Sequence, residues 1–215
     1  MNWIDPWGLS ASDGQKDNGQ NSRIIFYYER VGQENFKRAA ETAHKNHGGI
    51  LIGVTTADDF RTKWDSIAKE LQPNTHIESL EIFSHGGSDS LYFLGSEITR
   101  SDVEKLSVLN FSEGASITLH SCNSALGGQH GIAQSFANNQ SVKVYAQVGY
   151  ANFSETLEKY TRTTANSKSV YLQSYDRTKN MIFNSGLRLN DATFLPGESP
   201  ILVQKNIVKP EWKRR

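Results

Sequence analysis

Between residues 23 and 148 this chain alternates short apolar runs with segments of helical spacing, and that alternation restricts the fold more than any other feature. Residues 23–28, Arg-Ile-Ile-Phe-Tyr-Tyr, are β-branched and aromatic and predict a strand. Residues 34–45 carry Phe36, Ala39, Ala40 and Ala43 at helical spacing and stop at His47-Gly48-Gly49, a fitting C-terminal cap. Residues 50–55 predict a second strand, apolar throughout, as expected of a strand covered on both faces. Residues 58–71 place Phe60, Trp64, Ile67 and Leu71 on one helical stripe, with Pro73 just beyond. A third strand, 77–84, leads into His85-Gly86-Gly87; residues 90–95 predict one arm of a small hairpin, and Thr99 opens a short helix through Leu106. A fourth strand, 115–120, runs into Ser121-Cys122-Asn123, followed by a helix over 131–138 and a fifth strand over 142–148.

Strands that alternate with helices predict an α/β fold, a mostly parallel, helix-covered sheet joined by right-handed crossovers. Beyond residue 151 the pattern blurs. Residues 170–175 and 180–184 predict a late hairpin in an additional C-terminal β-rich segment, and 209–215 a solvated basic tail.

At 215 residues the chain can bury one proper core. Its 23 basic and 23 acidic side chains balance, so charge gives no case for a nucleic-acid or anionic-membrane partner. No apolar stretch approaches the ~20 residues that span a bilayer, and no signal peptide opens the chain. The single cysteine excludes an internal disulfide, so folding is not expected to need an oxidising compartment.

In an open parallel sheet, functional groups gather at the carboxyl ends of the strands. Here one strand ends at His85 and another at Cys122. If the two strands are neighbours, the imidazole and the thiol emerge on one rim, where the imidazole can take up the thiol proton. Gly86 and Gly87 permit a tight turn and leave amides unshielded for a developing oxyanion. Asp58 and Asp59, at the end of the second strand, are candidate orienters of His85, although capping the following helix is the commoner role. Glu78 and Glu81 are rivals.

Against this stands the reading of Cys122 as a small buried hydrophobe and of His85 as an ordinary loop residue. Other constellations carry less. His120 and His130 flank Cys122, but no carboxylate or second thiol accompanies them, so no metal or other cofactor is expected. His44 and His47 suit the end of a helix. Gly127-Gly128-Gln129-His130-Gly131 lacks the lysine of a P-loop and is expected to be a flexible loop beside the cysteine.

Two resemblances sharpen these expectations. Asp5-Pro6-Trp7-Gly8-Leu9, preceded by Asn2-Trp3-Ile4, resembles the motif closing the conserved core of Rhs-repeat proteins. It implies that residues 1–9 end such a core and that 10–22, rich in Ser, Asp, Gly, Gln and Asn, are a linker. Residues 23–215 are then the toxin domain of a polymorphic toxin, released by self-cleavage after the leucine. The second likeness lies in Ile82-Phe83-Ser84-His85-Gly86-Gly87 and Ile117-Thr118-Leu119-His120-Ser121-Cys122, with Leu91-Tyr92-Phe93-Leu94-Gly95 between them. Over residues 23–154 these are similar to the caspase-like (clan CD) cysteine peptidases, the group of gingipains, clostripain and toxin self-cleaving domains.

That second resemblance implies that Cys122 attacks a peptide carbonyl and His85 protonates the leaving amine, with the amides of Gly86 and Cys122 as oxyanion hole. Together the two imply an antibacterial endopeptidase acting in the cytoplasm of a neighbouring cell. Its partners would be a protein substrate there, a cognate immunity protein, and the Rhs core and secretion apparatus before release. A thiol-dependent acyl transferase or amidohydrolase, and a toxin that kills by binding alone, are the alternatives.

Overall fold

The predicted alternation organises the molecule in a computed structural model that describes residues 21–71, 74–147, 150–153, 172–176, 181–183, 191–198 and 201–202. The chain runs β1 (Asn21–Tyr28), α1 (Glu34–His47), β2 (Ile50–Val54), α2 (Ala57–Glu70) and β3 (His76–Phe83). A rim excursion follows, made of β4 (His85–Gly86), β5 (Ser90–Phe93), β6 (Ser96–Thr99) and α3 (Arg100–Val103). Then come β7 (Phe111–His120), α4 (Ile132–Gln140), β8 (Lys143–Gln147) and β9 (Tyr150–Phe153). Last are β10 (Leu172–Asp176), β11 (Met181–Phe183), β12 (Asp191–Phe194) and β13 (Ile201–Leu202).

The main sheet has the order β13-β12-β8-β7-β3-β1-β2. From β2 to β8 its neighbours are parallel, and β12 and β13 extend it antiparallel. The chain steps from β1 to β2 in one direction and from β2 to β3 in the other. Right-handed crossovers therefore put α1 and α2 on opposite faces. α2 and α4 share a face, where Trp64 stacks on Phe26 at 6.0 Å between ring centroids and meets Phe136 at 5.8 Å. The predicted stripe is what α2 buries: Phe60, Trp64 and Ile67 are all buried. Helix ends follow the sequence signals. Thr56 caps α2 by accepting the Asp59 amide, Thr99 and Asp102 form a capping box on α3, and Gly48 closes α1 at φ 72°.

Several boundaries move for physical reasons. β1 begins at Asn21, so the last two linker residues pair with β3, through an irregularity between Ser22 and Arg23. β2 is the edge of the sheet, so Ile50, Leu51 and Gly53 are half-buried although α1 and α2 pack on its two faces, as expected of a covered strand. α3 stops at Val103, short of Leu106, and β7 starts four residues earlier than predicted. The late hairpin is present as β10 and β11, antiparallel, with β9 on the other side of β10. The motif at residues 2–9, most of the linker and the tail at 209–215 lie outside the described residues.

Candidate functional site

β3 and β7 are hydrogen-bonded neighbours, parallel, with Phe83 beside His120 at the last paired position. One step on, the buried hydroxyls of Ser84 and Ser121 meet at 2.9 Å. His85 and Cys122 follow, each two residues beyond the end of its strand. Residues paired in parallel strands point to the same face, as Phe83 and His120 do, and the serines that follow them meet by their hydroxyls. The serine bond thus fixes the spacing of the two chains where they leave the sheet.

Both chains turn sharply there. After His85 the backbone folds back as β4 against β5, pairing His85 with Tyr92 and Gly86 with Leu91. The Gly87 amide donates to the Ser90 carbonyl at 2.9 Å. In an antiparallel ladder bonded and non-bonded pairs alternate, so the Gly86 N–H points away from β5. A Cβ on Gly86 would lie 2.7 Å from the Ser121 Cβ and 3.3 Å from the Cys122 carbonyl, an approach only glycine permits. After Cys122, Asn123 takes the left-handed conformation (φ 56°). Ser124 then locks the turn: its Oγ donates to the Ser121 carbonyl (3.0 Å) and accepts the Gln147 amide (3.1 Å).

The Gly127–Gly131 loop contains a short turn. Residues Gly128–His130 form a 3-10 turn that returns the chain against the histidine hairpin. The Ser88 carbonyl accepts the Ile132 amide at 2.9 Å, and a Cβ on Gly127 or Gly131 would stand 2.8 or 2.9 Å from that carbonyl oxygen. Gly127 (φ −70°) and Gly131 (φ −92°) have ordinary backbone angles. They are glycine for close packing, and they tie the cysteine loop to the histidine loop.

The thiol of Cys122 is half-buried beside β9. The Ala151 amide donates to Sγ at 3.3 Å, and Sγ stands 3.6 Å from the Ala151 carbonyl. Both main-chain groups of one strand residue point to the same side. Ala151 therefore presents the outer edge of β9, away from β10, to the sulfur.

Residues 43–152 match the family model for a domain of unknown function (DUF4347). The chain belongs to this family. Within the DUF4347 span lie His85, Gly86, Cys122 and Ala151, whereas β1 and the loop that follows it come earlier in the chain. No curated protein matches the chain.

The DUF4347 histidine is held from that earlier segment. Its Nε2 lies 2.9 Å from Oε1 of Gln33, and its ring stands edge-on to Phe36 (4.7 Å between centroids) and Tyr28 (5.9 Å). His85 is exposed at the rim, and the aromatic walls shield only part of its ring from water. That desolvation, and secondarily the charge of Arg30, push its pKa below the ordinary imidazole value.

The candidate orienters are engaged elsewhere. Asp58 pairs with Arg61, while Asp59 accepts the Thr55 amide and pairs with Lys63, which together hold its pKa down against burial. These bonds fix the start of α2, as helix capping predicts. Glu78 pairs with Arg23, and Glu81 lies 2.5 Å from Nε2 of buried His120, whose ring stacks on Phe83. His130 is exposed on the 3-10 turn. Sequence reasoning missed Gln33 and Ala151, since nothing local marks either. It also passed over a legible signal, the serine that precedes both His85 and Cys122.

Proposed function

We propose that this DUF4347 chain is a cysteine endopeptidase, the effector of an antibacterial Rhs toxin, with Cys122 as nucleophile and His85 as general acid and base. The observation that carries the reading is the Ser84–Ser121 bond between adjacent parallel strands, because it ties together the two strand ends from which His85 and Cys122 emerge. His85 takes the thiol proton as Sγ attacks a carbonyl carbon. The amides of Gly86 and Cys122 receive the oxyanion, and the proton passes to the leaving amine as the C–N bond breaks. Water then hydrolyses the thioester with the same imidazole as base.

An extended peptide suits the site better than a compact small molecule. β9 is the outer strand of its sheet and passes beside the sulfur, so a substrate strand that adds to this edge takes the Ala151 amide and carbonyl over from the thiol. The Rhs-like motif at residues 2–9 supports delivery into a neighbouring bacterium and action in its cytoplasm, with a cognate immunity protein in the producing cell.

The test is a mass-spectrometric survey of new peptide termini in bacterial lysate treated with the protein or with Cys122→Ala. Termini that appear only with the wild-type protein are expected. An absence of new termini, with toxicity still dependent on Cys122, would replace peptidase by acyl transferase or amidohydrolase. Toxicity that survives Cys122→Ala would leave a toxin that acts by binding.

A further inference from the structure

Gln33 occupies the N-cap of α1 and makes no capping bond with its side chain. That position ordinarily selects Ser, Thr, Asp or Asn, whose short side chains satisfy a free amide of the first turn. Glutamine is a poor choice for it. Here the side chain leaves the helix and reaches across to the end of β3, where its Oε1 lies 2.9 Å from Nε2 of His85. The helix gives up a capping bond, and the histidine gains a partner.

We infer that Gln33 is the positioning residue of the dyad, an uncharged third member that holds the His85 proton on Nε2 and turns Nδ1 toward Cys122. The inference rests on the peptidase reading above. With its amide oxygen toward the ring, Gln33 accepts the Nε2 proton, and the lone pair is then on Nδ1. Phe36 and Tyr28 bracket the ring and stop it from swinging out of this plane.

The choice of an amide over a carboxylate has a consequence. A carboxylate on Nε2 would favour the imidazolium, whereas glutamine leaves the neutral ring, which desolvation and Arg30 also favour. The groups that meet the ring are Tyr28 from β1, Gln33 from the β1–α1 loop and Phe36 from α1, with the charge of Arg30 acting on it and Tyr92 of β5 paired to its backbone. None of these supplies a carboxylate. The imidazole therefore rests neutral near pH 7, and His85 works as a base.

The experiment uses the whole chain and needs no substrate. Imidazole nitrogen shifts in NMR report the tautomer of His85, and the pH profile of Cys122 alkylation by iodoacetamide reports its action on the thiol. Wild-type protein should show the Nε2–H form alone. Gln33→Met, close in size but unable to accept this bond, should mix the tautomers and slow alkylation roughly tenfold to a hundredfold, what a slightly misplaced reacting group costs. Gln33→Glu should restore the Nε2–H form, raise the His85 pKa and move the onset of alkylation to lower pH.

An unchanged tautomer and alkylation profile in Gln33→Met would overturn the inference. His85→Ala separates the two ideas. If alkylation does not change when His85 is removed, the dyad itself fails; if it drops there but not in Gln33→Met, only the role of Gln33 fails.

Discussion

Ser84 Oγ and Ser121 Oγ meet at 2.9 Å inside the protein, each immediately before a residue of the proposed dyad. A buried hydroxyl left without its partner costs about 1–3 kcal/mol, whereas removing both can be nearly neutral. Ser84→Ala and Ser121→Ala should each destabilise by about that amount, and the double variant by clearly less than their sum. Urea unfolding of the four proteins measures this coupling. Strictly additive losses would mean that the hydroxyls do not hold the strand ends together.

The glycine tie should matter as much as the serine bond. A methyl group at Gly127 or Gly131 must displace the Ser88 carbonyl or the facing glycine, although both glycines have backbone angles that alanine accepts. Gly127→Ala and Gly131→Ala should therefore slow Cys122 alkylation by pushing the two loops apart. Gly128→Ala meets no atom within 4 Å but carries φ 55°, so its cost should be conformational strain of about 1 kcal/mol with little change in the thiol. Equal alkylation rates in all three variants would show that the loops are not coupled.

How much of this was legible in the chain depends on the range of the interaction. The strand and helix segments were readable because each is local: Phe60, Trp64 and Ile67 mark a buried stripe at helical spacing whatever they pack against. The rim positions of His85 and Cys122 followed from strand ends alone, and the neighbouring of β3 and β7 from the habit of consecutive strands to pair. Gln33 was not legible, because its bond to His85 spans 52 residues and leaves no local trace except an indifferent helix cap. The edge position of β2 was not legible for a related reason. An apolar run reads the same at the edge of a sheet as in its middle, and only the order of strands separates the two.

The lowered pKa of His85 also sets the sign of a stability change. An unfolded histidine takes up its proton near pH ~6.5, and the folded ring does so only at lower pH. Between those values the unfolded chain binds more protons, so stability falls as pH falls. The contribution of His85 is fully present above the unfolded value and is lost as pH drops toward the folded one. The urea midpoint of the wild-type protein should fall more between about pH 7.5 and about pH 5.5 than that of His85→Ala. A steeper fall in the variant would contradict the assignment of a desolvated, neutral ring.

Histidine and cysteine should not contribute independently to activity. If one proton moves between them in one chemical sequence, Cys122→Ala, His85→Ala and the double variant should be about equally inactive, each losing several orders of magnitude in rate. Losses that add would assign the two residues to separate steps.

The two remaining histidines near the thiol separate this centre from a metal site. His120 is 2% exposed, stacked on Phe83 and paired with Glu81, so it belongs to the interior of the sheet. Its replacement by alanine removes a buried polar partner and should destabilise the protein by about 1–3 kcal/mol, seen as a lower urea midpoint. At temperatures where the variant is folded, Cys122 should still be alkylated at close to the wild-type rate, because His120 moves no proton. His130 lies exposed on the 3-10 turn, and His130→Ala should leave both stability and alkylation as they were. Chelators should have no effect on activity. Inactivation by EDTA, or a folded His120→Ala protein as inert as His85→Ala, would place the chemistry on the other side of Cys122 and make a metal-dependent hydrolase the better account.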